Sequence, residues 1–480
     1  MTTNLRKVAR EKLFKDMISL EMDNWKILIT DPTTLKILNS LCTMADIQDC
    51  QFAIIENILN KRSPNQDYDA YYFIEPTTSN IQLLIDDFKH KPPYKTINLF
   101  TTKSLPDSLL DKIKRSPATH YLTQVKQLNI DFIVQESIVF NLNKRNSIYT
   151  LFNPKTTSAL TLELRQTAIQ IANVLATLGE FPYIKYFKDD SRSVSLTEKL
   201  AFDLQSELLK NKDFNSDRAT LLIVDRSFDL VSPLIHEFSY QALLADVIGF
   251  EDGKIKWNGV ESQDGYAKLD EQDKIWTEFR HLHVAETMES LSNQVKKFTN
   301  ENSAAQYSKN SGGNSLDQIS KMQETLQALP EYQEQKAKFS LHTDLCQDCM
   351  RIYSEKSLEN VITFEQELAT NETSASKQLK NPFKDLINIL SSDVGHHEKL
   401  RLAMIFIITQ KGTSQDERTK LFQVLDDYSA HAITNLSQFG VRQSKLIDSS
   451  QISCQFTVFK NNLEPIPSSK PSFHYSQRNI

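Results

Sequence analysis

Residues 221–248 read LLIVDRSFDLVSPLIHEFSYQALLADVI, and the rest of the chain sorts itself around them. Leu221, Leu222, Ile223 and Val224 make a short apolar run, partly β-branched, of the kind that forms strands covered on both faces of an α/β sheet. Asp225, Arg226 and Asp229 follow within five residues. Pro233 then breaks the chain, and after His236 and Glu237 a helical pattern carries Leu243, Leu244 and Val247. Ligands of open α/β sheets usually bind at the carboxyl ends of strands, so the position invites a catalytic reading. Carboxylates and imidazole suit divalent metals, which makes a metal-dependent hydrolase built on Asp225, Asp229 and His236 one alternative function. Arg226 stands between the acids, however, and an Arg beside Asp is more naturally a buried bidentate ion pair. The favoured reading is therefore a structural joint. In it Asp225, Arg226 and Asp229 pin the strand end, Pro233 fixes the turn, and His236 and Glu237 lead into the next helix.

Working outward, 480 residues exceed one compact core, and two to four domains are expected. An apolar fraction of 40% and a charged fraction of 24% fit a soluble globular chain. The net charge of −6 gives no general reason to bind nucleic acid or an anionic membrane, since that affinity rests on clustered Lys and Arg. Five scattered cysteines, at 42, 50, 346, 349 and 454, suit free thiols in a reducing compartment better than a disulfide framework. The amino terminus has no signal-like apolar core, and nowhere do 18 apolar residues run together, so a cytosolic protein is expected, reaching membranes through a partner. Glycine is scarce, ten in all, and the first is Gly179. An amino-terminal third without glycine cannot build a phosphate-cradling loop, which argues against a nucleotide enzyme there.

The remaining candidates for chemistry are weak. Cys346-x-x-Cys349 has no second Cys or His pair at finger spacing and reads as core or surface thiols. His281 and His283, placed in one helical pattern over 276–298, point to different faces and would not chelate one ion. His396-His397-Glu398 reads as a helix start, its acid complementing the dipole. Nucleophile elbow, kinase and HExxH signatures are missing from the sequence. No enzyme activity and no cofactor are expected, and a generic tethering scaffold using the helical region alone is a further alternative.

Taken in order, the chain opens with a helical pattern over 4–22. Strands are expected at 26–30, 51–56, 70–74, 96–100, 120–122 and 131–134, with helices at 33–42, 81–87 and 109–114. Strands spaced by helices imply parallel crossovers and a sheet covered on both faces, giving an α/β domain over 1–138. A second α/β domain over 139–247 has helices at 161–178 and 195–210 and strands at 183–186 and 219–225. A polar, glycine-punctuated boundary loop covers 251–272. The mainly helical domain spans 248–446, with helices at 276–298, 316–329, 331–353, 357–369, 382–389, 398–409 and 416–428. Mobile loops are expected at 299–314 and 370–380, and 447–480 reads as an irregular tail.

The Asp-Arg-x-x-Asp segment running through PLIHE to YQA, positions 225–242, resembles the SM family, the Sec-one and Munc-eighteen type syntaxin-binding proteins. The resemblance extends in order through WKILITDPTTLKILNSLCTMADI (25–47), NKRSPNQDYDAYYFIEPTTSNIQLLIDDF (60–88), IWTEFRHLHVAETMESL (275–291) and LPEYQEQKAKFSLHTDLCQDCMRIY (329–353). It covers about residues 5–445 and is nearest the exocytic branch. It implies an arch of three domains, two α/β and one mainly helical, that holds a syntaxin-type SNARE and promotes SNARE assembly for vesicle docking and exocytosis. It further implies a cytoplasmic monomer that binds syntaxin and the assembled SNARE complex, without nucleic acid, and sits peripherally at plasma or vesicle membrane. Asp31, Lys36 and Glu56 match the family's syntaxin-cavity contacts. Leu110 and Gln127 match the pocket for the syntaxin amino-terminal peptide, departing there from a more aromatic and acidic pattern. Pro330 matches a proline at a helical hinge. Family members continue for roughly a hundred residues more, so the second domain is expected to be shortened, with open sheet edges.

Overall fold

The computed structural model describes residues 4–20, 24–153, 155–188, 195–210, 218–250, 253–257, 265–308, 330–373, 377–410, 413–441 and 455–458. They pack as two compact units divided between Asp225 and Arg226, well ahead of the boundary expected at 247.

The first unit is built on five parallel strands, β1 (Lys26–Thr30), β2 (Phe52–Asn57), β3 (Asn65–Ile74), β4 (Tyr94–Thr101) and β5 (Leu122–Gln127), in the order β2-β1-β3-β4-β5. Every residue of the interior strand β1 is buried, and the period-two alternation of side chains divides the apolar residues between two cores. Leu28, Tyr71, Phe73 and Phe100 face one core, while Ile27, Ile29, Tyr72 and Leu99 face the other. Lys26 is buried as well, and its ammonium lies 4.8 Å from the ring centre of Phe52 and 5.2 Å from that of Tyr71.

Two expected strands change place. Residues Pro117–Tyr121 form a 3-10 turn that Pro117 opens and the Thr119 hydroxyl holds to the Ile113 carbonyl. The strand comes later, as β5, an edge strand whose inward positions are Leu122, Gln124 and Lys126. Polar residues at those positions hide the alternation from sequence reading. Likewise β6 (Ile133–Glu136) stands outside the sheet and pairs antiparallel with β7 (Val139–Asn141).

Helix Thr157–Leu178 ends where Gly179 takes the left-handed conformation (φ 71°). It bridges the expected boundary at 138, because Val174 belongs to the first core while Ala168, Ala172 and Leu175 pack with Ile184, Tyr186 and Ile223. Those last three residues come from β8 (Tyr183–Lys188) and β9 (Thr220–Ile223), which pair in parallel. The expected tail supplies a strand, β12 (Gln455–Val458), antiparallel to β8, so this sheet has the order β12-β8-β9.

The second unit is mainly helical, with a small antiparallel pair, β10 (Lys254–Lys256) and β11 (Tyr266–Lys268), inside the segment expected to be loop. The expected helix over 276–298 is broken in two, Lys274–Phe279 and Val284–Ser308, the second continuing through residues expected to be loop. The intervening residues 280–283 run alongside 238–241. Tyr240 N–H donates to Leu282 O (2.9 Å), Gln241 N–H to Arg280 O (2.9 Å) and Val284 N–H to Phe238 O (2.8 Å), and these extended bonds replace helical ones. The expected 416–428 helix is also two, Gln415–Val424 and Asp427–Asn435, the second capped by the Asp426 carboxylate accepting from Ser429 N–H. The expected helix at 316–329 lies outside the described residues. Two apolar cores result, one around Tyr240, Trp276, Leu345 and Cys349, the other around Phe364, Leu390, Phe406 and Leu421.

Candidate binding surface

At the carboxyl end of β1, Asp31 caps helix Pro32–Leu41. Its Oδ1 accepts from Thr33 N–H and Thr34 N–H (2.9 Å each), and Thr34 Oγ1 receives the Asp31 N–H in return, a complete capping box. Its Oδ2 accepts from Glu75 N–H (2.6 Å) and Asn80 Nδ2 (2.8 Å), joining β1 to the end of β3. The side chain is committed to the interior, with 2% of the residue exposed. Asp31 therefore fixes the start of the helix, both of its carboxylate oxygens being engaged within the unit. Lys36, one turn along that helix, is half-buried on its surface. Glu56 is half-buried near the end of edge strand β2 and accepts from the Tyr94 hydroxyl at 2.7 Å. Burial first, then the Glu56 bond, pushes the Tyr94 phenol above its ordinary range.

The helix Asp107–Lys114 carries Leu110, half-buried, and Gln127 is exposed at the end of β5. Pro330 is the first residue of helix Pro330–Glu355, where its missing N–H costs no helical bond. The segment 309–329 before it lies outside the described residues.

A cleft of about 440 Å³ opens at the carboxyl edge of the first sheet, lined by Glu75, Thr102, Lys103, Asp131, Lys144 and Gln170 among others. Burial raises the Asp131 carboxyl; its Oδ1 accepts from Asn173 at 3.0 Å, and Oδ2 has no hydrogen-bond partner among the described residues. That oxygen and the Thr102 hydroxyl are both sealed from solvent.

The stretch expected to be a joint works differently from its reading. Arg226 is exposed, and its guanidinium donates to the Asp229 main-chain carbonyl at 2.7 Å, so no buried bidentate Asp–Arg pair forms there. The Asp229 carboxylate instead closes the turn, accepting from Val231 N–H and Ser232 N–H at 3.0 Å. Burial works against its charge, but the Ser232 and Val231 bonds and the Arg226 charge outweigh that and hold it below the usual carboxylate range. Pro233 and Glu237 are exposed within and after the turn, and Asp225 is buried at the end of the first unit.

The pin is His236, for which sequence offered no partner. Glu365, wholly buried on helix Leu358–Thr370, accepts from the His236 main-chain N–H (2.9 Å) and from its Nδ1 (2.9 Å). Arg401 donates to His236 Nε2 (3.0 Å), to Leu234 O (2.8 Å) and to Asp246 Oδ2 (3.1 Å). Arginine has only donors, so Nε2 presents its lone pair and the ring proton sits on Nδ1, facing Glu365. A second pin holds the other core. The Tyr240 hydroxyl meets His342 Nδ1 at 2.9 Å, and His342 Nε2 meets Asp273 Oδ2 at 3.1 Å. All three are buried, and Asp273 Oδ1 also caps helix Lys274–Phe279. Burial opposes the Asp273 charge, but the His342 bond and charge prevail and lower its pKa.

The polar groups at the heart of both pins are buried, with His236, Glu365, Tyr240, His342 and Asp273 each no more than 4% exposed, and their hydrogen bonds are spent on holding elements together. The hydrolase reading fails on geometry: Asp229 is spent on backbone, His236 on Glu365 and Arg401, and among the described residues no three His, Cys, Asp or Glu side chains gather as metal ligands. His281 and His283 are not on opposite faces of a helix. They belong to the 280–283 turn and line one open cleft of about 560 Å³ with Glu237 and Phe238. Cys346 and Cys349 are buried core thiols, each pushed up to about 12 by burial. No helix among the described residues is long and apolar enough to cross a membrane.

Comparison with known proteins gives the surface its context. The model of the Sec1 family matches residues 26–476. Protein transport protein sec1 of Dictyostelium discoideum is 33% identical over 460 residues, 93% of this chain and 76% of that protein. SNARE-interacting protein KEULE of Arabidopsis thaliana is 30% identical over 468 residues, 91% of this chain and 69% of that protein. Among solved structures, the Unc18–syntaxin 1 complex from Monosiga brevicollis has the same fold, with a TM-score of 0.80 and 24% identity over 94% of this chain and 83% of the matched chain.

Proposed function

The chain belongs to the Sec1 family, and from that premise we propose that it is a SNARE-binding regulator of vesicle transport. It takes hold of a syntaxin-type SNARE and of the assembled SNARE complex, promotes assembly, and acts in docking and exocytosis without chemistry or cofactor of its own. Its contact with membranes in this reading runs through the SNARE. The observation that carries the proposal is the breadth of the family likeness, which spans both compact units rather than one motif. The relative named for SNARE interaction and the neighbour solved with syntaxin 1 add support.

On the first unit, Lys36 and Glu56 serve as contacts to the syntaxin helices. Asp31 acts through them, setting the helix that carries Lys36. Leu110 and Gln127 receive a syntaxin amino-terminal peptide. Pro330 acts as a hinge at the start of helix Pro330–Glu355. Retention of full-length syntaxins from a panel on the immobilised chain tests the function, and retention of none overturns it. Lys36→Glu is expected to weaken that binding about tenfold. Pro330→Ala is expected to speed SNARE-dependent lipid mixing in a reconstituted assay; unchanged kinetics would remove the hinge.

A further inference from the structure

We infer that the amino-terminal edge of the first unit's sheet is a docking surface for an anionic phospholipid bilayer, formed where the turn before β4 with Lys89 and Lys91, the start of β4 with Lys95, and the last turn of helix Asp107–Lys114 with Lys112, Lys114 and the following Arg115 come to one edge. All six are exposed. In sequence they are two ordinary charged stretches. The parallel topology makes them neighbours: helix Thr78–Asp87 and helix Asp107–Lys114 both run back against the strands, so each delivers its following turn to the same edge.

The turns are held together from beneath. Phe88 and Tyr121 rings lie 5.3 Å apart, the Thr119 hydroxyl donates to Ile113 O at 2.6 Å, and Phe88, Ile113 and Ala118 share one core. The start of β3 clamps the first turn, with Asn65 N–H donating to Pro93 O (2.7 Å) and Gln66 Nε2 to Pro92 O (2.8 Å). The cations thus project from a fixed platform, and little order must be gained on docking. The nearby exposed acids Asp67, Asp86 and Asp111 leave the cations in twofold excess; Asp111 lies 3.7 Å from Lys114, an exposed pair too weak to cancel the patch. In a chain of net charge −6 this edge is a local reversal of sign.

The occupant follows from what the edge lacks. Phe88 and Tyr94 are buried and Tyr121 is half-buried, so no exposed Phe, Tyr or Trp is there to give a base the broad stacking platform that single-stranded nucleic-acid surfaces use; the exposed rings of this edge are the small imidazoles of His90 and His120. No large apolar side chain between 86 and 121 is strongly exposed either, so the contact is with lipid headgroups and does not insert. This contact goes beyond SNARE binding and does not depend on it.

The test is flotation of the full chain with vesicles of phosphatidylcholine containing about 30% phosphatidylserine, at about 50 and about 300 mM salt. Binding is expected at low salt and at least tenfold weaker at high salt, with none to pure phosphatidylcholine. The quadruple variant Lys89→Glu/Lys91→Glu/Lys112→Glu/Lys114→Glu is expected to lose at least tenfold while retaining its thermal unfolding profile, since every substituted side chain is exposed. Lys336→Glu/Lys384→Glu, charge reversals at exposed sites in the second unit, are expected to leave it unchanged. Absence of binding, equal binding to neutral vesicles, an undiminished quadruple variant, or tighter capture by a single-stranded RNA oligonucleotide would each overturn the proposal. Syntaxin retention measured on the same variants separates its failure from that of the SNARE reading.

Discussion

Asp31 in the first unit and His236 in the second are both buried polar groups that fix an irregular segment, yet they find their partners on different scales. Asp31 sits at the end of a strand whose main-chain ladder is already satisfied, and it bonds Thr33, Thr34, Glu75 and Asn80, all within fifty positions. His236 follows a turn with no ladder, and it reaches Glu365 and Arg401, 129 and 165 positions away. A regular sheet supplies its own hydrogen bonds and needs polar side chains only at its ends. A loop laid between helical cores must borrow its bonds from other elements, and the burial that makes those bonds strong makes their loss severe.

Substitutions should separate the two modes. Glu365→Ala strips the His236 main-chain N–H and ring Nδ1 of their shared, fully buried acceptor, and its expected cost is about 3 kcal/mol or more. Denaturant unfolding followed by fluorescence would show the loss in the phase assigned to the second unit. Asp31→Ala removes a cap and leaves several buried donors unmatched, for an expected cost of about 2 kcal/mol confined to the first unit. If the two variants proved equally costly, the distinction between local and long-range fastening would fall. Tyr240→Phe deletes one hydrogen bond to His342 while keeping the ring packed on Trp276. A loss near 1 kcal/mol is expected, and no measurable loss would mean that packing alone holds that core.

Acid gives the finest contrast, because two buried carboxylates should respond with opposite sign. Asp273 is held below its ordinary pKa by His342, so its contribution is present above the usual carboxylate range and disappears as pH falls through the lowered value. Asp131 is raised by burial, so its ionised form burdens the first unit at neutral pH and that burden lifts as pH falls through the raised value. Asp131→Asn is accordingly expected to stabilise at pH 7 by less than about 1 kcal/mol and to have less effect in mild acid. Unfolding midpoints of the variant and parent between neutral pH and mild acid would settle the sign.

The pattern of residues was enough to place the first sheet's strands through β4, since β1 and the 70–74 half of β3 are continuous apolar runs, although the polar 65–69 half of β3 carries no such signal. It was enough also for most helices of the second unit and for the family. It failed at β5, where Gln124 and Lys126 take half-buried positions, and at 280–283, where extended bonds to 238–241 override a helical pattern. At the joint it paired Arg226 with the neighbouring acids and offered His236 no partner, because proximity in sequence is the only proximity a sequence displays and Glu365 and Arg401 lie 129 and 165 positions away.

The sequence by itself therefore determined most of the strand and helix segments and the family to which the chain belongs, properties carried by local period, composition and motif. Only the tertiary structure decided which charges are paired, which are sealed and which are gathered on one edge. Glu365 beneath His236, Asp31 turned inward, and six cations from two separate stretches on one face are all consequences of chain crossings. Electrostatic and hydrogen-bond energies depend on distance and burial in space, and neither is written in the order of the residues.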